Sequence, residues 1–151
     1  MTGRLIGIVR AAERMGPLES LERANVTVAA GIEGDCRGIK PDRQVSILFR
    51  EGWEDACRDL GAELPWGTRR ANLYVEGLEP IREAGGRIRV GEVVLEVFEE
   101  TRPCAVMESA FGGLRAAMRP DWRGGVLCRV ISGGEIRQGD AVAYEAAKSA
   151  A

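Results

Sequence analysis

Four thiols, Cys36, Cys57, Cys104 and Cys128, are the side chains in this sequence best suited to covalent chemistry, and there is no histidine anywhere in the chain. The missing imidazole excludes Ser-His-Asp and Cys-His devices and removes the usual general base at neutral pH. The cysteines are widely spaced with no C-x-x-C pair, whereas structural zinc takes closely paired Cys or His ligands, so a zinc site is not expected. Cys104 stands apart from the other three. A strand-type run, Val93 to Phe98, stops just before Arg102-Pro103, and Met107, Phe111, Leu114 and Met118 then recur at i, i+4, i+7 and i+11. That period predicts a helix, and Pro103 suits its entry. A thiol placed there meets unpaired N–H groups and the positive end of the helix dipole, with Arg102 adding a charge two residues away. Both favour thiolate, the form that is nucleophile and metal ligand; at such entries a cysteine can titrate at roughly 7 or lower.

The other thiols read differently. Cys57 falls on the apolar face of a helix predicted from Glu51 to Leu60, with Trp53, Ala56 and Leu60, and Gly61 supplies the stop. Cys128 alternates with Val126 and Val130 in a strand over 126–131, which places it in the core. Cys36 lies between Asp35 and Arg37 in a loop, residues 31–43, that has three glycines and a proline. Loops of about 12 residues are often functional. If this one approaches Cys104, Cys36 is a candidate resolving thiol; otherwise it is an exposed bystander.

The elements that would position these residues are mostly strands: Leu5–Val9, Val26–Ala29, Gln44–Phe49, Asn72–Glu76, Val93–Phe98 and Val126–Ile131. Arg69 and Arg70 stand just before the strand that Asn72 opens, and Arg123-Gly124-Gly125 precedes another, where glycines let backbone approach a ligand. Gly85-Gly-Arg-Ile-Arg-Val-Gly-Glu-Val-Val94 repeats as Gly133-Gly-Glu-Ile-Arg-Gln-Gly-Asp-Ala-Val142. Each copy reads as a hairpin-like corner, and two such corners suit a small closed or partly open β-barrel with a few short helices.

Composition limits the alternatives. With 45% hydrophobic and 29% charged residues over 151 positions, the chain is ordinary for one globular domain, residues 1–151, with its core at about 5–145 and a frayed C-terminal tail. A net charge of −2 gives no general field for nucleic acid or an acidic membrane, and neither is expected as a partner. The N-terminal apolar run is too short for a signal peptide, so the expected location is cytoplasmic, where disulfides are disfavoured. Of 21 basic residues only Lys40 and Lys148 are lysine, so single arginines say little and only clusters count. Gly133-Gly134 with Gly139 does not make a G-x-G-x-x-G fingerprint, and no flavin or NAD site is expected.

Gly34-Asp35, Arg43, Arg70-Ala-Asn-Leu-Tyr-Val-Glu-Gly77, Arg102-Pro-Cys104, Arg123-Gly-Gly125 and Gly133-Gly-x-Ile-x-x-Gly-Asp140 follow one another in that order. Together, over roughly residues 5–145, they resemble the MOSC domain, found at the C-terminus of molybdenum cofactor sulfurases and as small stand-alone proteins. The resemblance implies a β-rich barrel and a cysteine, here Cys104, that carries sulfur as a persulfide or ligates molybdenum. It implies the molybdenum cofactor (molybdopterin) as ligand and, as partners, a cysteine desulfurase or other sulfur donor and a molybdoenzyme or electron-donor protein. Some members reduce N-hydroxylated compounds with an external electron donor; a non-catalytic anion- or partner-binding module is the third reading. The cofactor-binding candidates are Asp35, Arg37, Arg43, Arg70, Asn72, Arg102 and Arg123, with Arg37, Arg70, Arg102 and Arg123 expected around one barrel mouth as a phosphate cradle. One departure is plain: many members have histidine after the Gly-Asp, where this chain has Cys36.

Overall fold

Apolar residues alternating along seven strands force those strands to share one interior, and the sheet closes on itself. The computed structural model describes residues 2–148. Its strands are β1 (Thr2–Arg10), β2 (Glu19–Leu21), β3 (Arg23–Thr27), β4 (Gly31–Ile32), β5 (Val45–Phe49), β6 (Leu73–Glu76), β7 (Arg87–Val90), β8 (Val93–Glu100), β9 (Val126–Ser132), β10 (Gly134–Arg137) and β11 (Ala141–Glu145). The helices are α1 (Arg50–Leu60), α2 (Ala105–Ala110) and α3 (Leu114–Ala117). The order β11-β7-β8-β9-β5-β6-β1 closes through β1–β11, with Thr2 opposite Ala143 and Arg4 opposite Ala141. This is a seven-stranded barrel, the closed form of the β-rich fold expected from the turns. β2 extends the sheet beyond β1, and β10-β3-β4 form a separate small sheet.

Leu5, Val45, Ile47, Val75, Ile88, Leu95, Val126 and Cys128 are among the buried residues that fill the barrel. Every barrel pairing is antiparallel except β5–β6, which is parallel with Ile47 opposite Leu73. A parallel pair needs a crossover, and this one consists of α1 and the 3-10 turn Trp66–Arg69. Leu48, on the opposite side of β5 from Val45 and Ile47, starts a second core with Trp53, Ala56, Met107, Leu114 and Met118. The three helices therefore lie over β5 on the outside of the barrel.

The structure departs from the sequence reading in several local places. The helix expected as one run from Met107 to Met118 is two short helices, broken where Gly113 adopts φ 90°. Phe111, counted on the buried face, is exposed, while Met107, Leu114 and Met118 are buried. The break, not the period, decides where Phe111 points. The strand expected at Val26–Ala29 is β3, which runs Arg23–Thr27, earlier than expected. Cys57 is half-buried at the edge of the outer core rather than inside it. The two repeat copies also differ in pairing: β7 and β8 form a hairpin, whereas β10 leaves to pair with β3, so only the first copy is a hairpin. They abut all the same. The Gly91 N–H donates to the Ala141 carbonyl at 3.1 Å, and the Glu135 N–H donates to Glu92 Oε1 at 3.1 Å. Ala146–Lys148 carry no regular element, and the rest of the tail lies outside the described residues.

Candidate functional site

β8 ends at Glu100, and four residues later the chain turns into α2 with Cys104 as the flanking residue, extended at φ −137° and ψ 178°. Its carbonyl accepts the Met107 N–H at 3.1 Å, which closes the first turn, and the thiol is exposed. The junction predicted for Cys104 is thus present. It is held from below by the start of β9, where the Thr101 N–H donates to the Gly125 carbonyl at 2.9 Å. A Cβ on Gly124 would lie 2.2 Å from the Thr101 carbonyl oxygen, so that position admits only glycine without movement.

Beneath this junction lies a side chain that was not among the sequence candidates. Arg69 is 8% exposed, and its Nε and Nη2 donate to the Gly124 carbonyl at 3.2 and 3.0 Å. Burial is the main cause that brings its guanidinium down to about 10, the positive charge of Arg37 acts in the same direction, and the Cys104 sulfur acts against both. Arg37, Arg69 and Cys104 therefore share one electrostatic neighbourhood. The signal available in the sequence was the Arg69-Arg70 pair before a strand together with the Arg-Gly-Gly of 123–125.

The glycine-rich loop reaches the same place through Asp35. Its carboxylate is fully enclosed and accepts the Ala11 N–H at 3.0 Å and the Arg37 N–H at 3.2 Å, and it pairs with the Arg37 guanidinium at 3.3 Å. Arg37 Nη1 then donates to the Arg70 carbonyl at 2.7 Å. Arg70, with φ 61°, directs its own Nη2 to the Gly16 carbonyl at 2.5 Å. Asp35, Arg37 and Arg70 are thus brought together, with Asp35 acting as the internal anchor of the loop. Cys36 is half-buried there, its N–H bonded to the Ala11 carbonyl at 2.8 Å.

The remaining candidates are placed otherwise. Asn72 is buried and ties three strands: its Nδ2 donates to the Val9 carbonyl at 3.2 Å and its Oδ1 accepts the Ser46 N–H at 3.0 Å. Arg43 pairs with Glu99 at 2.7 Å, and Arg102 is exposed beside the thiol. Arg123 Nη1 donates to Asp59 at 2.6 Å and to the Ala117 carbonyl at 2.9 Å, so this side chain joins β9 to α1 and α3. The four arginines do not form one ring at a barrel mouth. Among the described residues, two buried side-chain polar atoms lack a partner, Thr101 Oγ1 and Arg123 Nε. Both border Gly124, one through packing and one through the chain. No group of three or more His, Cys, Asp or Glu side chains that could hold a metal ion occurs among the described residues, and no helix there is long and apolar enough to cross a membrane.

Comparison with known proteins agrees with this architecture. The YUAD protein from Bacillus subtilis superposes with a TM-score of 0.81 at 20% identity, covering 98% of each chain. YiiM from Escherichia coli gives 0.73 at 20% identity over 97% of this chain and 72% of its own, and YiiM from Geobacillus stearothermophilus gives 0.66 at 16% over 95% and 73%. At these identities the likeness is one of fold. No curated protein matches the chain. The family model described as MOSC domain matches residues 34–143, a span that runs from the Gly-Asp of the loop through Arg102-Pro103-Cys104 to β11, and the chain belongs to the MOSC domain family.

Proposed function

We propose that this protein carries sulfur on Cys104 and binds the molybdenum cofactor beside it. The observation that supports the reading is an exposed thiol at the entry of α2 whose charge acts on the buried guanidinium of Arg69, on which Arg37 acts as well. A thiolate reacts as a soft nucleophile, and cations nearby stabilise it and the anions it works on. In sulfur carriage the Cys104 thiolate attacks the outer, sulfane sulfur of a donor's cysteine persulfide. One S–S bond forms on Cys104, the donor's S–S bond breaks, and the donor leaves as thiolate. No external oxidant or reductant is required. The nucleophile is the thiolate form of Cys104, so the attack itself uses no histidine.

The donor set also fits the cofactor. Cys104 offers molybdenum one soft ligand, and with no cluster of further ligands among the described residues, the metal would bring the rest of its coordination with the pterin. Arg69 and Arg37, with the unpartnered hydroxyl of Thr101, suit its terminal phosphate. When bound, that group supplies redox chemistry at molybdenum. The chain itself supplies the thiolate, the phosphate cations and the enclosing loop. To test the reading, protein purified from a host that makes the cofactor is assayed for molybdenum, pterin fluorescence and sulfane sulfur released by cyanide. At least one should be present in wild type and absent in Cys104→Ser; their absence from wild type after loading would end it.

A further inference from the structure

The outer layer of the barrel holds a cleft to which Cys104 does not contribute. α1 stops at Gly61, whose φ of 67° turns the chain back, and the Gly61 and Ala62 N–H groups donate to the carbonyls of Arg58 and Cys57. This stop brings Leu64 beside the helix, where its carbonyl accepts the Trp53 Nε1–H at 3.1 Å. Trp66 then opens the 3-10 turn and stacks on Tyr74 of β6, with ring centroids 4.9 Å apart and planes within 3° of parallel. A glycine makes room for that pair: Gly7 lies opposite Tyr74 on β1, and a Cβ there would lie 2.5 Å from Trp66 Cζ2. Between these parts opens a cleft of about 580 Å³, lined by Trp53, Cys57, Leu64, Trp66 and Tyr74. Trp53 belongs to the outer core and the other four pack against it. Sites for small molecules measure roughly 300–1,000 Å³ and combine an apolar, aromatic lining with a few polar groups.

The polar residues decide the charge of what fits. Glu54, Arg58 and Glu63 are the charged side chains that line the cleft. Glu54 is paired with Arg50 at 2.7 Å and Arg58 with Asp55 at 2.8 Å, so among the described residues Glu63 is the lining charge without an ion pair. Arg58, Gly61 and Ala62 bring the end of α1 to the same cleft, and a helix C-terminus is the negative pole of its dipole. Aromatic rings attract cations to their faces. We infer that this cleft binds a small organic cation, with its apolar body against Trp66 and Tyr74 and its charge at Glu63. An anion would meet an unpaired carboxylate and a guanidinium already engaged by Asp55, and a neutral aromatic would leave Glu63 unused. The inference stands apart from the sulfur-carrying reading, because it uses no residue of that site.

The tryptophans make the test site-specific. The chain has three, Trp53, Trp66 and Trp122; the first two line the cleft, whereas Trp122 packs against the barrel core. Their indole N–H signals are followed in proton–nitrogen correlation spectra of the full chain during titration with three probes. Benzyltrimethylammonium is the cation, benzyl alcohol the neutral comparison and phenylacetate the anion. The cation should shift the Trp53 and Trp66 signals saturably and leave Trp122 in place. It should bind about threefold more tightly than the alcohol, the size of gain a cation draws from an exposed aromatic site, and phenylacetate should bind more weakly than either. Glu63→Gln, a change at an exposed side chain, should remove the cation's advantage. The assignment is overturned if the cation gives no saturable shift at Trp53 and Trp66, or if the alcohol or phenylacetate binds as tightly. An advantage that survives unchanged in Glu63→Gln overturns it as well.

Discussion

Arg69 and Gly124 are joined by two hydrogen bonds, the guanidinium Nε and Nη2 both donating to one carbonyl, at 3.2 and 3.0 Å. This fork links the turn before β6 to the start of β9, and Gly124 in turn lies against Thr101, three residues from Cys104. Through it the barrel fixes the level at which the exposed thiol of Cys104 emerges.

Gly124→Ala should therefore be more damaging than an ordinary glycine substitution. The added Cβ would lie 2.2 Å from the Thr101 carbonyl oxygen, and backbone there cannot rotate aside as a side chain could. Overpacking of this kind costs about 1–3 kcal/mol, or a fall of roughly 2–12 °C in midpoint for a domain of this size. Thermal unfolding followed by circular dichroism measures it; a midpoint within a degree of wild type would contradict the packing described.

Asp35→Ala should loosen the whole loop from 31 to 43. The substitution leaves the Ala11 and Arg37 N–H groups without their acceptor and an arginine without its counter-charge. A loss of about 3 kcal/mol is expected from breaking an enclosed pair, and Asp35→Asn, which keeps one acceptor oxygen, should lose less. Urea denaturation ranks the two variants, and equal stability for Asp35→Ala and wild type would contradict the anchoring role.

The thiols should separate by accessibility and by alkaline stability. Cys104 is exposed and Cys128 fully buried, so a mild alkylating reagent should label Cys104 in the native chain and reach Cys128 only on unfolding. Burial pushes the Cys128 thiol up, and burial also takes Tyr74 up to about 12. Below pH ~8.5 the thiol is neutral in both states and favours neither. Above it the unfolded thiol ionises while the folded one does not, so stability falls by up to about 1.4 kcal/mol per pH unit for each such group. Cys128→Ala should flatten the part of that decline nearest pH 9, and urea midpoints from pH 7 to 11 give the comparison.

The barrel was legible because its strands alternate and its corners repeat, and both are properties of short stretches. The position of Cys104 between a strand and a helix was legible for the same reason: strand, proline and helical period meet within a dozen residues. What was not legible depended on contacts between distant segments. Nothing local shows that Arg69 turns inward while Arg70 bonds to Gly16, that Arg123 serves Asp59 and Ala117, or that Asn72 is consumed in joining three strands. The break at Gly113 misled the period, since Phe111 keeps the helical spacing after the helix has ended. The Asp35 anchor could be guessed only from its place in Gly-Asp, because the N–H it accepts from Ala11 lies 24 positions away.

The most direct measurement is the intact mass of the protein after incubation with a cysteine desulfurase and free cysteine, followed by peptide mapping. Wild type should gain one sulfur atom, about 32 Da, the first step of thiol modification available without an oxidant, and mapping should place it on Cys104. Cys104→Ser should gain nothing, while Cys36→Ser and Cys57→Ser should behave as wild type. An unmodified wild-type mass, or a sulfur atom that stays on the chain when Cys104 is replaced, would contradict the assignment of Cys104 as the sulfur-carrying residue.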